Sequence, residues 1–65
     1  MDVKIARIKR KMKQDELCKI VGISKVTLSK IEKGNYGAVK FSIIVKIAKA
    51  LDSTVEDLFD LGGDR

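Results

Sequence analysis

The chain has 65 residues, of which 45% are hydrophobic and 35% are charged, which suits one compact domain and excludes a disordered tail. It contains one cysteine, Cys18, and no histidine, so an internal disulfide is impossible and a tetrahedral zinc site is disfavoured. No apolar stretch approaches the roughly 20 residues that a membrane span needs. Packed apolar side chains must therefore supply the stability.

The N-terminal segment argues against secretion. Residues 1–10 alternate Lys and Arg with aliphatic residues and lack a continuous apolar core, so no signal sequence is predicted. A lone thiol without a disulfide framework favours a reducing compartment. We therefore expect a cytoplasmic protein without membrane association.

Charge is distributed unevenly along the chain. Residues 1–50 carry 13 Lys and Arg against four acids, a net charge of +9, whereas residues 51–65 carry one Arg against five acids, a net charge of −4. A basic body with an acidic end indicates a polyanionic partner for the body. A solubilising surface is the alternative, and charge alone does not separate the two.

The spacing of apolar residues is helical, so we predict an all-α fold of five helices without a strand. The predicted helices cover residues 3–11, 13–21, 25–33, 41–51 and 55–59. Gly22 ends the second helix, since glycine enters the left-handed region at little cost. Ile20 is placed on the buried face of the second helix, and Phe41 on that of the fourth. We expect a single domain over 1–65, with a short flexible tail at 62–65.

The third predicted helix has two different sides. Leu28 and Ile31 lie three residues apart and share the buried side. At about 100° per residue, Val26 and Lys30 fall about 160° from Leu28 and are therefore exposed. Glu32 lies toward the buried side. The exposed side and its edges carry lysines, hydroxyls and one aliphatic group, but no acid: Lys25, Val26, Thr27, Ser29, Lys30 and Lys33.

This exposed side is complementary to the major groove of DNA, whose width of about 12 Å admits one helix. Lysine donates to guanine O6 and N7, hydroxyls donate or accept, and valine contacts the thymine methyl group. Free amide groups at the start of the second helix, near Gln14, would face a phosphate.

Residues 14–35, QDELCKIVGISKVTLSKIEKGN, resemble the helix-turn-helix of the phage lambda-type repressors and Cro proteins. Residues 44–59, IVKIAKALDSTVEDLF, resemble the fourth and fifth helices of that family. Gln14 opens the motif, small Cys18 takes the helix-crossing position and Gly22 makes the turn. The buried positions of the motif are filled by Leu17, Val21, Ile23, Leu28 and Ile31. The resemblance implies a compact five-helix, lambda-repressor-like domain with its helix-turn-helix at 14–33.

The resemblance also implies roles for individual residues. Base-reading positions match Lys25, Val26 and Lys30, with Thr27 and Ser29 as neighbours. Positions that contact the DNA backbone match Lys13, Gln14, Ser24, Lys33, Asn35, Tyr36 and Lys40. A structural ion pair is implied between Arg7 and Glu32. A dimer interface at the fifth helix is drawn from Val55, Phe59 and Leu61, some of which we expect to form an exposed patch.

Several positions depart from the family pattern or have a structural interpretation. Lys13 replaces the usual Ser, Thr or Asn cap of the second helix, which forfeits about 1 kcal/mol but adds a positive charge. Asp52 occupies a position that is often glycine. Cys18 is interpreted as a small buried side chain and not as a redox sensor. Tyr36 either stacks on a sugar or phosphate or packs on its own domain. Leu58 is placed in the core.

We therefore expect a sequence-specific double-stranded DNA-binding transcriptional regulator, acting as a homodimeric repressor on a palindromic operator. A chain of 65 residues leaves no room for a separate effector domain, which favours repression by blocking polymerase. The alternative is a protein-interaction module, antitoxin-like or an anti-repressor partner, with secondary DNA binding. Without a histidine base or a Gly-rich phosphate loop, we expect no enzymatic activity, cofactor or small-molecule ligand. The resemblance implies a bacterial or phage-encoded protein.

Overall fold

Five α-helices joined by short connections make up the described part of the chain. The computed structural model describes residues 2–59, and no strand occurs in that range. The helices are α1 (Val3–Lys9), α2 (Gln14–Val21), α3 (Lys25–Glu32), α4 (Phe41–Ala50) and α5 (Val55–Leu58). The predicted all-α, five-helix fold is confirmed, and each helix is one or two residues shorter than predicted. None of the helices in 2–59 is long and apolar enough to cross a membrane.

The helices begin in two different ways. Helices α1, α3 and α5 start after residues whose side-chain oxygen accepts a hydrogen bond from the backbone N–H three residues on: Asp2, Ser24 and Thr54, at 2.8, 3.1 and 3.1 Å. Helices α2 and α4 start after Lys13 and Lys40, whose side chains have no acceptor atom. At α2 the Glu16 carboxylate accepts from the Lys13 N–H at 2.8 Å, which satisfies only that donor. The first amides of α2 and α4 thus lack a side-chain cap from the preceding residue.

The core lies between the inner faces of all five helices. Its buried apolar residues are Val3, Ala6, Leu17, Cys18, Val21, Leu28, Ile31, Ile44, Ile47, Ala48, Leu51, Leu58 and Phe59. The predicted burial of Leu58 and Cys18 is confirmed. With no disulfide available, this cluster supplies the main stabilising term, at about 25 cal/mol per Å² of apolar surface removed from water.

Two apolar residues were placed in the core wrongly. Ile20 is 60% exposed and Phe41 is 61% exposed. At about 100° per residue, Ile20 lies about 100° from the centre of the buried face of α2, outside the stripe that reaches the core. Phe41 is the first residue of α4 and lies about 70° from the centre of its buried face. Both predictions counted a large apolar residue at the margin of a helix's buried face as part of that face.

The end of α4 is fastened to α1 by one arginine. Arg10 Nε donates to the Leu51 carbonyl at 2.7 Å, and Arg10 Nη2 lies 3.4 Å from Asp52 Oδ2. Asp52 has φ of 52°, in the left-handed region that glycine enters at the least cost. The arginine thereby satisfies a carbonyl that the helix end leaves without an intrahelical partner.

Candidate nucleic-acid interface

Helices α2 and α3 are joined by a tight turn at residues 22–24. Gly22 has φ of 85°, and its N–H donates to the Cys18 carbonyl at 2.7 Å. The Ile23 N–H donates to the same carbonyl at 3.1 Å. A Cβ at Gly22 would meet nothing within 4 Å, so the requirement for glycine there is conformational and not steric. The turn directs the chain from α2 into α3 without an intervening loop.

Cys18 lies buried beside this turn, where α2 packs on its neighbours. Burial raises the pKa of the Cys18 thiol, and the carboxylate of Asp15 raises it further. The thiol is therefore held in its protonated form, which is the less nucleophilic one. This environment agrees with its interpretation as a small core residue.

Helix α3 has an inner and an outer side, as its spacing predicted. Leu28 and Ile31 are buried in the core. On the outer side Val26 is 66% exposed, and Lys25 and Lys30 are also exposed. The outer side is thus a ready-made surface of two ammonium groups around an aliphatic side chain. Thr27 and Ser29 are half-buried at its edges.

The inner side of α3 is tied to α1 and α2 by a polar cluster. The ion pair implied between Arg7 and Glu32 is present, with Nε 2.7 Å from Oε2, and both side chains are close to fully buried at 11% and 6% exposure. Glu32 Oε1 accepts from Gln14 Nε2 at 3.0 Å, and Arg7 Nη1 donates to the Met12 carbonyl at 2.8 Å. This cluster fixes the orientation of α3 relative to the first two helices.

The residues matched to DNA-backbone contacts differ in their exposure. Those that are exposed are Lys13, Ser24, Lys33, Asn35 and Lys40, whereas Gln14 and Tyr36 are half-buried. Gln14 braces α2 against α3 through Glu32 and keeps its amide oxygen and second N–H outside that bond. An open cleft of about 380 Å³ lies beside it, lined by Lys4, Arg7, Gln14, Ser29, Glu32 and Lys33.

Two hydroxyls assigned to DNA contact, those of Ser24 and Thr27, are hydrogen-bonded to each other. Ser24 Oγ accepts from the Thr27 N–H at 3.1 Å and donates to Thr27 Oγ1 at 3.0 Å. The Ser24 hydroxyl therefore serves as the N-cap of α3. Because the Ser24 hydroxyl donates its hydrogen bond to Thr27, it is not available to donate to a phosphate oxygen.

The fifth helix differs from the sequence expectation. Phe59 was expected to belong to α5 and to an exposed patch, but α5 ends at Leu58 and Phe59 is only 3% exposed. Its backbone is extended, at φ −127° and ψ 138°, which turns the ring back onto the core. There it packs against Tyr36, with ring centroids 4.9 Å apart. Val55 is half-buried, and Leu61 lies outside the described residues.

Tyr36 therefore follows the second of its two interpretations, packing on its own domain. Its ring joins the loop after α3 to the residue that follows α5. The aromatic contact positions this loop, which also carries Asn35 and leads to Lys40.

One feature of the interface was missed in the sequence. Lys25 Nζ lies 3.4 Å from Asp15 Oδ1, so an acidic residue of α2 stands beside the first residue of α3. Asp15 was assigned only to the dipole of its own helix. The contact depends on how α2 packs on α3, and no local spacing rule reports a pair ten residues apart across a turn.

The fold and the surface together define a class of protein. Two short helices connected by a glycine turn, the second with a basic and exposed outer side, form a helix-turn-helix. A helix-turn-helix family model matches residues 3–58. The chain belongs to this family, and its lambda repressor/Cro-like assignment is confirmed.

Relatives support the same assignment. The chain is 37% identical over 57 residues to an uncharacterized HTH-type transcriptional regulator of Archaeoglobus fulgidus, covering 88% of this chain and 79% of that protein. A second protein of the same description and organism is 40% identical over 53 residues, covering 82% and 74%. No solved structure matches the chain significantly.

Proposed function

We propose that this protein is a sequence-specific transcriptional repressor that binds double-stranded DNA as a homodimer and lays α3 in the major groove of a palindromic operator. The observation that carries the proposal is the outer side of α3, where Val26 is 66% exposed between exposed lysines on a helix whose inner side is locked into the core. A single exposed aliphatic side chain is common on protein surfaces, but its combination with two exposed lysines on one side of a helix suits the major groove of DNA.

Base recognition is assigned to the outer side and edges of α3. Lys25 and Lys30 would donate to guanine O6 and N7, and Val26 would contact a thymine methyl group. Thr27 and Ser29 lie at the edges, where a partly buried hydroxyl reaches a base only at close approach. Each good contact discriminates against the wrong base by about 1–3 kcal/mol.

Phosphate contacts are assigned to the helix starts and to the loop after α3. Lys13 and Lys40 stand at the N-termini of α2 and α4, whose first amides have no side-chain cap from them. An ammonium group beside free amides at the positive end of a helix dipole favours an anion. Gln14, Ser24, Lys33, Asn35 and Tyr36 complete the proposed backbone contacts, with Ser24 and Tyr36 acting chiefly by holding the backbone in place.

The dimer is proposed to form around α5. Two-fold symmetry would place the two α3 helices about 34 Å apart, on half-sites one turn apart. Val55 and Leu61 remain the proposed contact residues, whereas Phe59 would act from the core by shaping the end of α5. The proposal assigns the protein no catalytic activity, cofactor or small-molecule ligand, and places it in the cytoplasm with its DNA.

Selection of bound sequences from randomised duplexes tests the proposal. We expect a palindromic consensus and an affinity that falls steeply as salt rises, because each neutralised phosphate releases a counterion. A selection without enrichment at low salt would refute it and favour the protein-interaction module.

The dimer is tested separately by sedimentation equilibrium. Val55→Glu should yield monomers, whereas an unchanged mass would move the contact elsewhere. Phe59→Glu is unsuitable, because a carboxylate at this buried position would unfold the domain.

A further inference from the structure

The ion pair between Asp15 and Lys25 occupies an unusual place in the molecule. Lys25 is the first residue of α3, and the first turn of that helix contains no acidic residue. A cation at a helix N-terminus is opposed by the positive end of the dipole. Asp15, from the first turn of α2, brings a carboxylate oxygen to 3.4 Å from Lys25 Nζ and supplies the negative charge that the first turn of α3 lacks.

The pair is exposed, so it does little for stability. The side chains of Lys25 and Asp15 are 62% and 73% exposed, and exposed pairs contribute little to the free energy of folding. What the pair affects is the position of the Lys25 side chain. A free lysine side chain samples many rotamers around four rotatable bonds, and a partner present before DNA arrives narrows that choice.

An ammonium group has three N–H donors, so Lys25 can lie beside Asp15 and still offer N–H donors to a second partner. Lys25 can therefore remain paired with Asp15 while it donates to the O6 and N7 acceptors of a guanine. The same carboxylate repels phosphates, which discourages Lys25 from swinging onto the DNA backbone.

We propose that Asp15 is a positioning residue for DNA recognition, which holds Lys25 toward the base edges and away from the phosphates. Asp15 thereby contributes to sequence discrimination without touching a base. This inference rests on the proposed function, because it takes Lys25 to be a base-reading residue.

The test is the ratio of affinities for a selected duplex and a random duplex, measured by fluorescence anisotropy at one salt concentration. Asp15→Asn should strengthen random binding and weaken selected binding, lowering the ratio about two- to fivefold, the range that an exposed ion pair spans. Asp15→Glu, which keeps the carboxylate, should restore most of the ratio.

Asp52→Asn is the matched control. Asp52 is also an exposed aspartate 3.4 Å from a cation, but it pairs with Arg10 at the end of α4. Its substitution by Asn removes the same charge as Asp15→Asn does. It should strengthen binding to both duplexes equally and leave the ratio unchanged.

Lys25→Met identifies the route of the effect. In that background Asp15→Asn should no longer change the ratio, since the side chain being positioned is gone. A ratio that Asp15→Asn leaves unchanged, or a change that persists with Lys25→Met, would overturn the inference alone. A wild-type ratio near one would overturn the proposed function, and this inference with it.

Discussion

The two sides of α3 differ in what they contact: the inner side packs in the core and the outer side is exposed to solvent. The inner side is committed to the protein: Leu28 and Ile31 are in the core, and Glu32 is bonded to Arg7 and Gln14. The outer side has an exposed valine and exposed lysines. One of these lysines, Lys25, forms an exposed ion pair with Asp15 of α2. The inner side thus holds the helix in the fold while the outer side stays exposed, so substitutions on the two sides should separate folding from recognition.

The largest expected effect is on the inner side. Leu28→Ala should lower the free energy of unfolding by about 2–5 kcal/mol, because it removes buried methyl groups and leaves a cavity. Val26→Ala, two residues away on the outer side, should change it by no more than about 0.5 kcal/mol. Urea denaturation followed by circular dichroism measures both, and equal losses would erase the distinction between the sides.

The polar part of the inner side comes next. Glu32→Gln should cost about 1.5–3 kcal/mol of unfolding free energy, because it weakens charged hydrogen bonds to the buried Arg7 side chain. Glu56→Gln changes the same groups at an exposed position of α5 and serves as control. Thermal unfolding measures both variants. If their midpoint temperatures fall equally, the polar cluster does not stabilise the position of α3.

The outer side should respond in binding and not in stability. Lys30→Ala should weaken binding to a selected duplex by about 1–3 kcal/mol and weaken binding to random DNA far less. Lys46→Ala, at an exposed position of α4, removes the same charge and should affect both duplexes alike. Anisotropy titrations compare them, and equal losses for Lys30→Ala would remove this lysine from base reading.

The smallest expected effect lies where the two sides meet, at the start of α3. Ser24→Ala should lower the free energy of unfolding by about 1 kcal/mol, since the cap of the Thr27 N–H is lost. Ser42→Ala, at an exposed position inside α4, should have almost no effect. Chemical denaturation that shows no difference between them would mean that the Ser24 bond contributes nothing to folding.

Local rules predicted much of this arrangement from the sequence. Helical periodicity identified all five helices and separated Leu28 from Val26, because a 100° step is a property of the backbone alone. Ile20 and Phe41 were misplaced because their apolar character was taken as a sign of burial, whereas burial depends on which side of a helix its neighbours cover. Phe59 was misplaced because the chain leaves the helix after Leu58 and the Phe59 ring packs against Tyr36, and apolar spacing reports neither feature.

The candidate site divides in the same way. Resemblance supplied the pair of Arg7 and Glu32, which lie 25 residues apart and could not be joined by periodicity. Neither helical periodicity nor the family resemblance predicted the pair of Asp15 and Lys25, since that pair depends on how α2 packs on α3. Contacts across a turn are the part of the interface that only three-dimensional packing supplies.

The buried Cys18 thiol can serve as a chemical probe of how often the helix-turn-helix opens. It is the one cysteine of the sequence, it sits where α2 meets its neighbours, and burial keeps its pKa raised. An alkylating reagent can modify it only during the moments when the helices part, so the labelling rate measures how often the helix-turn-helix opens. If DNA binds the motif as proposed and keeps it closed, this labelling should slow, so the Cys18 sulfur would report on DNA binding.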